Sequence, residues 1–199
     1  MRDVITILYN EFETLDVFGP IEVLGRLPQY FNPVFYSMDG GIITSSQKVP
    51  VMTQALSDLE SNSYILFIPG GTGAREQISN DAFMDTLRSM VTNAEFVLTV
   101  CTGSILLART GILAGRCATS NKRAFAWTKT IPGVNWVQKA RWVKDDTIYT
   151  SSGVSAGMDM ALGFVADLLG YPVAEQVSRE MEYVWNKDPE DDPFYELYR

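Results

Sequence analysis

The chain has 199 residues, 46% of them hydrophobic and 20% charged, which suits one domain with a sizeable core and an ordinary soluble globular protein. A formal net charge of −8 argues against a surface that tracks phosphates, so nucleic acid is not an expected partner. Histidine is absent, which excludes Cys-His and Ser-His triads and histidine-containing metal sites within these residues; proton transfer is left to carboxylates, Tyr, Lys, Cys or water.

The first strand is expected over residues 5–9, a near-continuous apolar run of the kind covered on both faces. Asp16 follows where loop becomes helix, and Gly19-Pro20 should bend or restart that helix. An isolated Asp there is also explained by the preference of acids for helix N-termini. Residues 33–38 read as a second strand. Asp39-Gly40-Gly41 and Gln47-Lys48-Val49-Pro50 then punctuate a hairpin or meander. Residues 64–68 form another buried strand, ending in Pro69-Gly70-Gly71-Thr72-Gly73. Glycines after a parallel strand let backbone N–H groups point at a ligand. Neither dinucleotide nor P-loop spacing is present, and an oxyanion hole suits the cluster better than a phosphate cradle.

A helix is expected over 82–91. The next strand, Val97-Leu98-Thr99-Val100, runs straight into Cys101, and the apolar run Ile105-Leu106-Leu107-Ala108 continues as helix to Gly111. A cysteine at a strand-to-helix turn is a nucleophile elbow in thiol form. Amides at the helix start would favour its thiolate and depress its pKa. The competing reading is a buried structural cysteine. Cys117, on a short strand over 117–119, reads as core filler, leaving Cys101 as the expected reactive thiol. Residues 141–144 and 147–150 read as a β-hairpin. A helix from about 154 stops at Gly170 and Pro172, and a last one covers about 173–183. The acidic, proline-broken tail from Asp188 to Phe194 reads as a solvated surface wrap.

No leader of basic, apolar and small residues opens the chain. The most apolar long stretch, 154–169, carries Asp159 and Asp167 and is no membrane span. Two cysteines make no secreted disulfide framework, so the expectation is a cytoplasmic protein, 1–199 as one domain, without membrane contact. Alternating strands and helices predict an α/β fold: a doubly wound, mostly parallel sheet with helices on both faces. Ligands in such sheets bind at the carboxyl ends of the strands. Asp16, Gly70-Gly71 and Cys101 all follow strands directly, so they can converge on one edge.

The segments Leu15-Asp16-Val17-Phe18-Gly19-Pro20, Ile68-Pro69-Gly70-Gly71-Thr72-Gly73, Val100-Cys101-Thr102-Gly103-Ser104 and Gly153-Val154-Ser155-Ala156-Gly157-Met158-Asp159 resemble, in order and spacing, those of the ThiJ/PfpI superfamily, relatives of class I glutamine amidotransferases. The resemblance implies a flavodoxin-like fold, a homodimer and a cysteine nucleophile at Cys101. It also implies a carboxylic acid at Asp16 and an oxyanion hole near Gly70, Gly71 and the Thr102 amide. No cofactor or metal is implied. Within the superfamily the chain resembles isocyanide (isonitrile) hydratases and the amidase-like sensory domains of AraC-type regulators. Many members carry a histidine where this chain has Asn121, which bears on protease, amidotransferase, glyoxalase and deglycase activities more than on a hydratase.

The leading expectation is therefore hydration of a small electrophilic carbon, an isonitrile or similar small-molecule substrate. Cys101 would form a thioimidate, Asp16 would move the proton, and the turn amides would stabilise charge. The rival is a non-catalytic sensor whose cysteine is oxidised or whose pocket is occupied by a ligand. About sixteen residues follow the last expected helix, too few for a DNA-binding helix-turn-helix. A third reading is a structural family member with an idle site.

Overall fold

The computed structural model describes residues 1–60 and 63–198. One eight-stranded sheet organises the molecule. Its strands are β1 (Arg2–Ile7), β2 (Phe31–Ser37), β3 (Asp39–Thr44), β4 (Pro50–Ala55), β5 (Tyr64–Ile68), β6 (Ala94–Val100), β9 (Trp142–Asp145) and β10 (Ile148–Ser151); β7 (Cys117–Ala118) and β8 (Asn135–Trp136) pair separately. The order across the sheet is β3-β4-β2-β1-β5-β6-β10-β9. Only the two outermost pairings, β3 with β4 and β9 with β10, are antiparallel. The central strands are thus parallel, as their unbroken apolar runs predict, and the two hairpins close the edges.

Alternation along these strands sends side chains to two cores. Leu66 and Ile68 of β5 join Ala74 of the short α2 (Ala74–Gln77), Phe83 and Leu87 of α3 (Asp81–Asn93) and Leu106 of α4 (Gly103–Arg109). Ile65 and Phe67 face the other way, against Val23 and Leu24 of α1 (Thr14–Gly25), Phe164 and Val165 of α5 (Ala156–Leu169) and Val177 of α6 (Tyr171–Glu180). No described helix is long and apolar enough to cross a membrane. β1 and β5 are parallel neighbours, but the order of strands runs outward in opposite directions from them, so their carboxyl ends form the crevice in which an open α/β sheet binds ligands.

Several local expectations change. Helix α1 runs unbroken through Pro20, which is buried and forgoes only the bond its missing N–H would have made to the Asp16 carbonyl. Pro172 does not end a helix: Gly170, at φ +96°, closes α5 and opens α6, and the proline sits in the first turn, where no backbone N–H is needed. Cys117 is exposed rather than core, because its two-residue strand lies on the outer pair with β8. The tail from Asp188 to Phe194 is the exposed surface wrap expected, with one buried anchor. Asp192 is buried against Lys122 (Oδ2 to Nζ 3.3 Å), and the Arg141 N–H donates to the Pro189 carbonyl at 2.7 Å.

Candidate active site

The site begins with the elbow. β6 delivers Cys101 at φ +58°, a left-handed conformation that costs strain at a non-glycine residue and turns the chain abruptly into α4. The turn is over-determined. The Cys101 N–H donates to the carbonyls of Ser151 and Ser152 (3.2 and 3.0 Å), and the Cys101 carbonyl accepts the hydroxyls of Ser104 and Ser120, both at 3.0 Å. Sequence reading missed Ser120, because nothing local marks a serine nineteen residues downstream as part of the elbow.

The glycine turn after β5 approaches this elbow closely. A Cβ on Gly70 would lie 2.6 Å from the Thr102 nitrogen. Gly71 stands at φ +133°, and a Cβ there would collide with the Glu11 carbonyl oxygen. The Gly70 N–H donates to Asp16 Oδ2 at 3.0 Å, so it holds the acid and does not point at the pocket. The Gly71 N–H donates to the Thr102 hydroxyl oxygen at 3.1 Å. Thr102 donates its hydroxyl to the Gly71 carbonyl at 3.3 Å, and its amide and hydroxyl favour the Cys101 thiolate. Gly71 and Thr102 line the cavity; Gly70 and Asp16 lie beneath it. Tyr9, which sequence reading left in a strand, pins the turn by donating its hydroxyl to the Pro69 carbonyl at 2.7 Å.

Asp16 is fully buried in the first turn of α1, and Oδ1 has no hydrogen-bond donor of good geometry. Burial pushes its carboxyl well above the usual carboxylate range, and the Gly70 N–H opposes this only in part. Burial also pushes the Cys101 thiol up, and the neighbouring Asp16 pushes it further, against the pull of Thr102. This corrects the expectation of a depressed thiol pKa. Cys101 is buried, 7% exposed, at the start of a helix of only seven residues, so desolvation outweighs the helix dipole. Two acids in one dry site cannot both ionise at neutral pH, so the pair retains a transferable proton.

Asp16 therefore costs stability. Its folded pKa lies above the unfolded value near ~3.9, so the folded state binds more protons between them and stability falls as pH rises through that window. Asp16→Asn should raise the melting temperature at pH 7, and the gain should vanish below pH ~3, where both states of the wild type are protonated. Paired calorimetric scans at the two pH values check this.

Above the thiol is a cavity of about 540 Å³. Asn121 stands on its wall, with its side-chain oxygen accepting the Ala124 N–H at 3.0 Å, and it brings no titrating group to the thiol. Glu13 and Arg75 bring charge to its lining; Trp127 and the tail residues Phe194 and Tyr198 add aromatic surface. The tail reaches this position through two buried anchors. One is Lys122–Asp192; the other is Asp159, which accepts from Arg141 Nε at 2.6 Å, the Tyr183 hydroxyl at 3.1 Å and the Asn186 N–H at 2.9 Å.

A sequence profile of the DJ-1/PfpI family matches residues 2–167. The chain belongs to the DJ-1/PfpI family. Among curated members it is similar to isonitrile hydratase of Pseudomonas putida, at 29% identity over 178 residues, covering 89% of this chain and 76% of that one. It is also similar to the HTH-type transcriptional regulator CdhR of Pseudomonas aeruginosa, at 27% over 180 residues, and spans only 53% of that protein. A THiJ/PfpI family protein from Pseudomonas syringae superposes with a TM-score of 0.85 at 24% identity, over 93% of this chain and 76% of the other. Drosophila melanogaster DJ-1beta gives 0.80 at 21% identity, over 92% and 99%. These last two carry the fold: a DJ-1-like α/β structure with a mixed, mostly parallel sheet. The DJ-1/PfpI assignment agrees with the elbow and the glycine turn, and the curated members include enzymes as well as regulators.

Proposed function

We propose that this chain hydrates an isonitrile, or a similar small electrophilic carbon, to the corresponding formamide. The observation that carries the reading is the buried Cys101–Asp16 pair: a thiol and an acid that keep a proton between them, beneath a cavity with no histidine. Similarity to an isonitrile hydratase supports the choice of substrate.

The chemistry balances without any further reagent. The Cys101 sulfur bonds to the terminal carbon of R–NC as Asp16 gives that carbon its proton and takes the thiol's in return. The product is the thioimidate Cys101–S–CH=N–R, formed without net charge change. Water then adds to the same carbon. One of its protons passes to nitrogen, the C–S bond breaks, and the other proton restores the thiol, releasing R–NH–CHO. The Thr102 amide, beside the sulfur, is placed to stabilise charge during these steps. Gly70 contributes by holding Asp16.

Purified protein incubated with an aryl isonitrile should yield the N-aryl formamide, and Cys101→Ala should reduce the rate to background. Absence of formamide from the wild type would remove the hydratase reading and favour a sensor, for which the similarity to a transcriptional regulator speaks. A homodimer belongs to the same proposal; a monomer mass by light scattering would remove it and leave the site untouched.

A further inference from the structure

We propose that the pocket selects a substrate bearing a carboxylate on an apolar or aromatic body, with Arg75 and Arg123 holding the anion at the mouth. The inference rests on reading Cys101 as the reacting group. A volume of about 540 Å³ far exceeds what one electrophilic carbon needs, so most of the cavity is there for the rest of the substrate. Trp127, Phe194 and Tyr198 give that remainder an aromatic wall.

The charge on this wall departs from that of the molecule. The chain carries −8; outside the cavity Arg2, Arg26, Arg88, Arg116 and Arg141 each pair with a carboxylate, and among the described residues Arg109 and Arg179 do not. Arg75 and Arg123 line the cavity, and among the described residues neither has a carboxylate partner. Arg75 lies over the Trp127 ring, 4.7 Å from its centroid. The ring attracts the cation without offering it a carboxylate, so guanidinium N–H donors remain for a planar anion, which can be bound through two parallel hydrogen bonds. Lys122, the third cation of the lining, is already spent on Asp192. Glu13 opposes the preference, but as one carboxylate against two guanidinium groups. The balance at the mouth is positive on a strongly acidic protein, an arrangement that concentrates anions there.

Alkylation of Cys101 tests this without requiring turnover. In a Cys117→Ser background, the rate with anionic iodoacetate is divided by the rate with neutral iodoacetamide, and the same ratio is taken for a small free thiol. Thiol ionisation cancels in the ratio, which leaves the effect of reagent charge. The protein ratio should exceed the free-thiol ratio by about two- to fivefold, the worth of exposed charge pairs, and shrink in about 0.5 M salt. Arg75→Gln with Arg123→Gln should abolish the excess, and the double Lys variant should retain part of it. A protein ratio at or below that of the free thiol, or one unchanged in the double Gln variant, overturns the inference. A chain that shows the excess yet hydrates no isonitrile would lose the reaction assigned above but keep an anion-selecting pocket.

Discussion

Asp16→Asn should lower turnover by about 10²- to 10⁴-fold, the usual worth of a positioned proton donor, while leaving the pocket and Cys101 in place. The asparagine oxygen can still accept the Gly70 N–H, and its amide can occupy the position of Oδ1, so the geometry survives. What it lacks is a proton to give. Because burial raises the Asp16 pKa, wild-type turnover should decline as pH climbs through that raised value. The residual rate of Asp16→Asn should lack this limb. Asp16→Leu should show the same loss of turnover and should also cost about 1–3 kcal/mol of stability, because the Gly70 N–H is left buried without an acceptor. A full pH–rate profile on the three proteins, beside their denaturation midpoints, separates lost proton transfer from lost structure. An Asp16→Asn enzyme with near-wild-type turnover would exclude Asp16 as the donor.

The second large effect is structural. Lys122 and Asp192 have side chains 3% and 0% exposed, and breaking such a pair from one side leaves an uncompensated buried charge. Asp192→Ala should therefore destabilise the chain by about 3–5 kcal/mol, or about 6–20 °C in melting temperature at this size. The Lys122 amine would keep only the Ala140 carbonyl at 2.6 Å, the Thr119 hydroxyl at 3.0 Å and a longer contact to the Ser120 carbonyl. Lys122→Met combined with Asp192→Leu should recover most of the loss, because well-packed apolar residues replace buried ion pairs at little cost. The pH dependence has a defined sign. Burial lowers the Lys122 pKa from 10.5 to about 8, so between these values the unfolded chain is protonated while the folded one is not. The contribution of this group to stability accordingly rises with pH across that window, and Lys122→Met should lose the rise.

What the sequence made legible is what depends on local pattern. The apolar runs of β1, β5 and β6, the glycine turn at Gly70-Gly71 and the elbow at Cys101 are each written in consecutive residues. A doubly wound sheet then brings their ends together whatever the details elsewhere. What stayed hidden depends on partners distant in the chain. Asp192 sits in a run of acids and prolines that reads as solvated, and only the fold brings Lys122, seventy residues upstream, under it. Tyr9 looked like strand filler until its hydroxyl met the Pro69 carbonyl. Arg75 and the Trp127 ring it lies over come from distant parts of the chain, so no spacing rule connects them. The thiol's ionisation was misjudged for a similar reason. The helix start that favours thiolate is local and visible, whereas the burial that opposes it comes from the whole surrounding fold.

The proposed hydration runs through a covalent bond between substrate carbon and the Cys101 sulfur. Rapid acid quenching of the wild type during turnover of an aryl isonitrile, followed by intact-mass and peptide analysis, tests it most directly. The peptide containing Cys101 should gain the mass of one isonitrile, and the peptide containing the exposed Cys117 should gain none. Formamide accumulating with no adduct at Cys101, or an adduct confined to Cys117, would contradict it.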